Sequence, residues 1–344
     1  MRKVSIGIVL FLVLNALSVF LTYGTCEAAK ILYVGGVETG NYSSIQVAIN
    51  DASEGDTIFV FSGTYNESIR VNKKINLVGK DKNSTILECN DSEYYAILIQ
   101  VQGVNIGGFT IQNGTIGIYV VGYENASNGN NITNNNITNN FGGIYLSNHS
   151  SNNLISGNII TQNKGEGIRL YGSFNNKING NIITENRGFG IRLWELSEYN
   201  FISKNTILNN LNGITLRRWS NNNVISENDV LKNTKSGISL TYSFKNNITK
   251  NNVANSTNGI YLEDSSKNTI SENYIAGNYR GICLYDSFNN TTVADNIFTD
   301  NNEDIWDGSR SFKTPGFELI FVVYAILLTF LFNQKRSKLL FRKQ

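Results

Sequence analysis

Three acidic side chains late in the chain have the spacing for chemistry on a carbohydrate. Glu263, Asp264 and Asp286 fall at the same point of two successive sequence repeats, with Asp264 and Asp286 in register. Two carboxylates one strand spacing apart could bind Ca²⁺. They could also act as a paired acid and base in glycoside cleavage, where separations of about 5–9.5 Å are used. Ordinary surface acids account for the same residues, because structural charges are common. The nearest arginine, Arg280, falls outside the stripe of side chains that these acids continue. Earlier in that stripe, Arg169, Tyr171, Arg192, Trp194 and Arg217 recur at matching points of the repeats, and Tyr285 ends the series. Aromatic faces pack on sugar rings, while Arg bonds hydroxyls or carboxylates. The stripe is therefore the candidate ligand-binding groove for a glycan. The competing reading is a solvated face with incidental aromatics, since exposed polar strands need no function.

The elements that position these residues are legible as a repeat. The clearest copy is Asn175 to Leu193, and three apolar ladders run through its relatives. Ile132, Ile155, Ile178 and Ile202 begin the first, Ile137, Ile160, Ile183 and Ile207 the second. The third is the Ile of each Gly-Ile-x-Leu quartet, including Ile168, Ile191 and Ile214. A fixed period of this kind means a solenoid. Each copy holds three short β-branched runs separated by Asn, Gly and Ser, too short and turn-rich for helices. The pattern predicts an all-β chain, a right-handed parallel β-helix of roughly eleven coils. Asn recurs two residues before the first ladder (Asn153, Asn176, Asn200) and before the second (Asn158, Asn181, Asn205). Asn tolerates left-handed backbone and can stack as amide ladders, so these positions read as corners. Lys204, Glu227, Lys250, Glu272 and Asp295 alternate in sign along one corner and read as a structural charge ladder.

Charged residues make up only 16% of the 344 positions, and the formal net charge of +2 comes from basic residues at the two ends. The middle has no basic stripe, which argues against nucleic acid as a partner. Residues 1–29 read as a secretory signal: Arg2 and Lys3, an apolar run from Val4 to Leu21, then small residues ending in Ala28 and Ala29. An uncleaved anchor is the alternative. Residues 30–312 form the β-helix domain, and residues 313–344 a C-terminal sorting or transmembrane segment. In that segment Leu319 to Phe332 is apolar and is followed by Lys335, Arg336 and Lys338. The basic cluster would hold its end in the cytoplasm. Cys89 and Cys283 read as lone buried thiols. Asn-x-Ser/Thr acceptor sites recur, among them Asn66, Asn113, Asn131, Asn136, Asn247 and Asn255.

Near the N-terminus, Ser43 and Gln46 have capping-box spacing, and Ile45, Ala48, Ile49 and Ala52 fall on one face of a short helix that would close the first coil. This helix, then Gly55 to Val71, then Ile75 to Gly79, resembles the entry to pectin-lyase-like β-helix proteins. More narrowly it is similar to the NosD-like family, also described as carbohydrate-binding and sugar-hydrolase domains, over about Tyr33 to Asp307. That resemblance implies the fold, and an accessory role to a transporter or copper enzyme. Copper wants His, Cys or Met. The chain has His149 as its only histidine, Met1 as its only methionine, and no donor pair at ligand spacing. Pro315-Gly316-Phe317 before the apolar run resembles the PGF-CTERM sorting signal of archaeal surface proteins, which implies processing and lipid anchoring at the S-layer. An ordinary single-pass anchor is the other reading. Both place the repeats outside the cell.

No complete catalytic set is present, so the chain reads as an exported cell-surface component, without catalysis, that binds polysaccharide or envelope proteins. The alternatives are a carbohydrate-active enzyme (lyase, hydrolase or epimerase) using Glu263, Asp264 and Asp286, and the NosD-like accessory role.

Overall fold

The computed structural model describes residues 28–38, 41–89, 94–122, 127–287 and 290–308. The expected export segment, except its last two residues, and the expected C-terminal anchor lie outside the described residues. Among the described residues no helix is long and apolar enough to cross a membrane.

The short β-branched runs form strands that wind into three parallel sheets. Sheet 1 has twelve strands, from Ile31–Val34 to Thr292–Ala294. Sheet 2 has eleven, from Gly63–Asn66 to Ile297–Thr299, and sheet 3 has eleven, from Ile69–Val71 to Glu303–Asp307. The chain is thus the expected parallel β-helix, one rung longer in sheet 1 than the roughly eleven coils that the repeats imply. The extra rung is Ile31–Val34, which precedes the recognisable repeats and pairs with Thr57–Val60.

Register follows the ladders. Ile155, Ile178 and Ile202 are neighbours in sheet 1, and Ile160, Ile183 and Ile207 in sheet 2. All six side chains are fully buried. Each contributes about 2 kcal/mol relative to exposure, and each coil shares that gain with its neighbours.

Asn residues close the corners. Asn181 Nδ2 donates to Ile155 O at 2.9 Å and to Asn205 Oδ1 at 2.9 Å, while its backbone N donates to that same Oδ1 at 3.0 Å. The bonds repeat on the coils from Asn135 to Asn273, so the buried amides there leave few polar atoms unpaired. A third ladder, Asn140, Asn163, Asn186, Asn210 and Asn233, has the same geometry between sheets 2 and 3. The left-handed corner residue is not the ladder Asn but the one before it, as at Lys204 (φ 56°), Glu227 (φ 56°) and Lys250 (φ 57°). The ladder amide must point inward, so the residue ahead of it makes the bend and points to solvent.

The first coil is closed by helix α1 (Ile45–Asp51), which buries Ile45, Ala48 and Ile49. Its N-cap is Ser44 rather than Ser43. The reciprocal acid comes from the chain's next pass: Glu67 accepts from Ile45 N at 2.8 Å, Gln46 N at 3.0 Å and Ser44 Oγ at 2.7 Å. Gln46 instead covers the first edge of sheet 3, its Oε1 accepting from Arg70 N at 2.7 Å.

Candidate functional site

Sheet 3 offers the broadest outer face. Strands of sheets 1 and 2 are mostly three residues long, whereas those of sheet 3 reach six, as in Phe189–Trp194 and Asn212–Arg217. The glycine of each quartet explains how the longer strand packs. A Cβ at Gly213 would lie 2.5 Å from both Gly237 O and Val230 Cγ1, and one at Gly190 would lie 2.6 Å from Ile207 Cγ2. Glycine and the isoleucine after it both face inward, which interrupts strict alternation. The residue before the glycine therefore points out, adding a third outward column: Glu166, Phe189, Asn212, Ser236, Asn258 and Arg280. Arg280, expected outside the stripe, stands on this face; its Nε lies 3.8 Å from Glu303 and its guanidinium 4.2 Å over the Trp306 ring.

Three depressions run along the face. The first, of 260 Å³, is lined by Tyr119, Tyr145, Arg169 and Tyr171. The second, of 540 Å³, shares Arg169 and adds Phe141, Glu166 and Phe189. The third, of 370 Å³, shares Phe189 and continues past Thr215, Arg217 and Tyr261 to Glu263. Neighbouring depressions share wall residues, so they lie in series along one face, which is called the groove below.

Register gathers the predicted residues in its first half. Arg169 lies beside Arg192, and Tyr171 beside Trp194, which in turn neighbours Arg217. Tyr171 meets Trp194 edge to face, with centroids 6.4 Å apart. Arg192 lies 3.8 Å over the Trp194 ring and 4.7 Å over Phe189. Beneath them Glu166, which escapes a sequence reading, receives Arg192 Nη1 at 2.8 Å and the hydroxyl of Tyr145. The side chains of Arg192 and Glu166 are only 11% and 12% exposed. Burial lifts the Tyr145 hydroxyl far above its ordinary range, and bonding to Glu166 adds to that. Burial alone would raise the Glu166 carboxyl too. Its bonds from Tyr145 and Arg192 outweigh this and hold it below the ordinary glutamate range. Arg192 is pulled down by burial, against its bond to Glu166. Two buried donors, Arg192 Nε and Trp194 Nε1, find no acceptor within the protein.

The remaining candidates form a second group. Glu263 lies beside Tyr285, and Asp264 N donates to Tyr285 O at 3.0 Å. Asp264 and Asp286 hold equivalent left-handed corners on successive coils (φ 46° and 47°). Tyr285 stacks on Trp306 with centroids 6.5 Å apart. Burial pushes the neighbouring Tyr261 hydroxyl up to about 12. Among the described residues no three His, Cys, Asp or Glu side chains gather as a metal site. Along the other corner Lys204 pairs with Glu227 at 3.7 Å and Lys250 with Glu272 at 3.6 Å. Those side chains are more than half exposed, so the pairs contribute little.

The fold recurs in solved proteins. The solved A-module of the Azotobacter vinelandii mannuronan C-5 epimerase AlgE4 is similar with a TM-score of 0.66 at 13% identity, covering 79% of this chain and 97% of that one. The Dettilon tailspike protein is similar with a TM-score of 0.59 at 17% identity, covering 80% of this chain and 60% of that one. At such identities the likeness is one of fold. A cell surface glycoprotein of Methanothermus fervidus is 34% identical over 122 residues, which are 35% of this chain. The chain spans only 19% of the length of that relative. The family profile described as "Periplasmic copper-binding protein (NosD)" matches residues 49–216 and 195–315.

The described donors do not fit copper. Cys89, just past the strand Thr85–Glu88, and Cys283, within Arg280–Tyr285, are buried thiols at opposite ends of the rod, and His149 packs its ring edge-on against Phe174 at 5.9 Å. Among the described residues no two soft ligands converge, so no chemistry is routed through that metal. The match nevertheless takes in most of the chain, and by it the protein belongs to the NosD family.

Proposed function

We propose that this protein is a cell-surface component that holds polysaccharide along the outer face of sheet 3, without cleaving it. The observation that carries this reading is the row of depressions along sheet 3 whose lining includes Arg169 and Tyr171, with Trp194 in register beside Tyr171 and Arg192 beside Arg169. Sugar rings stack on aromatic faces, and guanidinium groups bond their polar substituents. A rod with a strand about every 4.8 Å suits an extended polymer better than a small molecule. The cell surface glycoprotein relative supports an external location, in keeping with the export and anchor segments expected at residues 1–29 and 313–344. The names of two structural neighbours, a mannuronan epimerase and an α-1,3-glucanase with bound tetrasaccharides, support a polysaccharide as ligand.

A second reading, a carbohydrate-active enzyme, is favoured by one observation. Asp264 and Asp286 stand at equivalent corners of adjacent coils beside Glu263. Affinity electrophoresis of the full chain through gels containing polysaccharide tests the first reading. Trp194→Ala combined with Tyr171→Ala is expected to lose most of the retardation. Unchanged mobility would remove this stripe as the binding surface.

A further inference from the structure

A binding groove alone leaves the charge of the glycan undetermined. Three guanidinium groups converge on the Trp194 ring: Arg192 at 3.8 Å, Arg169 at 5.1 Å and Arg218 at 5.2 Å. Arg217, beside Trp194 on the next strand, adds a fourth. Two glutamates answer them, each bonded to one arginine, and Glu166 also lies within the electrostatic reach of Arg169. Glu166 binds Arg192 at 2.8 Å, and Glu195 binds Arg218 at 2.6 Å. Among the described residues neither Arg169 nor Arg217 forms a salt bridge. Like charges crowded on one indole repel, and the ring faces offset only part of that. Folding does not require them, because one strand further on the same two columns hold Ser239 and Thr241.

We infer that this section of the groove binds an anionic polysaccharide, with carboxylate or sulfate groups of the polymer on Arg169 and Arg217 and a sugar ring against Trp194. The inference rests on the glycan-binding reading above and adds the substrate class. Guanidinium presents a planar pair of donors that matches either anion. Arg169 and Arg217 are two strands apart, about 10 Å along the rod. One extended chain can therefore satisfy both, and the second contact is then intramolecular. Beyond Arg217 the face turns acidic at Glu263, Asp264 and Asp286, which disfavours an anionic polymer there.

The test is a binding titration of the full chain with polygalacturonate, dextran sulfate and uncharged dextran, at low and at raised salt. At least one anionic polymer is expected to bind about tenfold or more tighter than dextran, with that advantage shrinking as salt rises. Arg169→Gln with Arg217→Gln is expected to abolish the advantage, the loss for the anionic polymer exceeding any loss for dextran by about tenfold. Arg217→Gln alone, at an exposed side chain, should lower it without touching the fold, and Arg169→Lys should keep the salt dependence. Preference for polygalacturonate alone would assign carboxylate, and for dextran sulfate alone, sulfate. Equal affinity for charged and uncharged polymers would overturn the inference and leave the glycan reading standing. No binding to any polymer would overturn both.

Discussion

Two strands of sheet 3 three coils apart, Phe189–Trp194 and Asn258–Glu263, differ only in what they show to solvent. Inward, Gly190, Ile191 and Leu193 correspond to Gly259, Ile260 and Leu262, and all six positions are buried. Outward, Arg192 and Trp194 in one correspond to Tyr261 and Glu263 in the other. The inward columns are held constant by packing against the coils above and below. The outward columns are free of that constraint. A solenoid of this kind separates the two demands by parity along the strand, and a glycine marks where the parity resets.

The sharpest way to break the comparison is to attack what both strands share. In Gly190→Val the side chain would meet Ile207 Cγ2 and the carbonyl of Gly213, which lie 2.6 and 2.7 Å from an added Cβ. Backbone cannot yield as a flexible side chain can, so a loss of about 3 kcal/mol is expected in chemical denaturation. Thr241→Val, on the outward column between Arg217 and Glu263, should change stability by less than about 0.5 kcal/mol. Similar losses at the two sites would refute the division.

Glu166 belongs to the basic strand's surroundings alone, and removing its charge is the next largest effect. Glu166→Gln leaves Arg192 nearly buried without its counterion, which should cost about 2 kcal/mol. The carboxyl is held below the ordinary glutamate range by Tyr145 and Arg192. Its stabilising contribution is therefore complete above the unfolded-state glutamate range and is lost as pH falls through the lower folded value. Thermal unfolding across acidic pH should show this loss in the wild type and a flatter profile in Glu166→Gln. Identical acid limbs would assign the acid sensitivity to other carboxylates.

A gain of function would sharpen the comparison from the other side. Tyr261→Arg with Glu263→Trp writes the outward pair of Phe189–Trp194 onto Asn258–Glu263. It also removes an acid from the groove. Affinity for polygalacturonate should rise by about fivefold, equivalent to about 1 kcal/mol. A flat titration would mean that Glu166 beneath Arg192, absent at this second location, is needed to aim the arginine.

The repeats made the fold legible because each inward Ile and each ladder Asn is a one-residue signal repeated at fixed spacing. The third Asn ladder, through Asn163 and Asn186, was equally periodic but lies between the second and third apolar runs, away from the positions counted back from an Ile. The capping helix was legible in its apolar face, whereas its acidic cap was not, because Glu67 arrives from the next pass of the chain. Arg169, Arg192 and Trp194 were visible by alternation from the quartet isoleucines. Glu166 was hidden for the same reason, since alternation counted back through Gly167 turns it inward. The signal that could have exposed it is the glycine itself: two inward neighbours in a row require one with no side chain.

The acidic strand carries the smallest expected effect and decides between binding and catalysis. Asp264→Asn and Asp286→Asn each remove one negative charge from corners that the polymer is expected to avoid. These corners are partly exposed, so screening keeps the repulsion weak, and affinity for an anionic polymer should rise by no more than about twofold. If the acids are structural, polymer length measured by size-exclusion chromatography stays constant with the wild type, with either variant, and with or without Ca²⁺. An acid–base pair would behave otherwise: the wild type would shorten the polymer, and Asp264→Asn would stop it without lowering the unfolding temperature. That result would move the active surface three coils along the rod and make the aromatic half of the groove a subsite for the chain being cut.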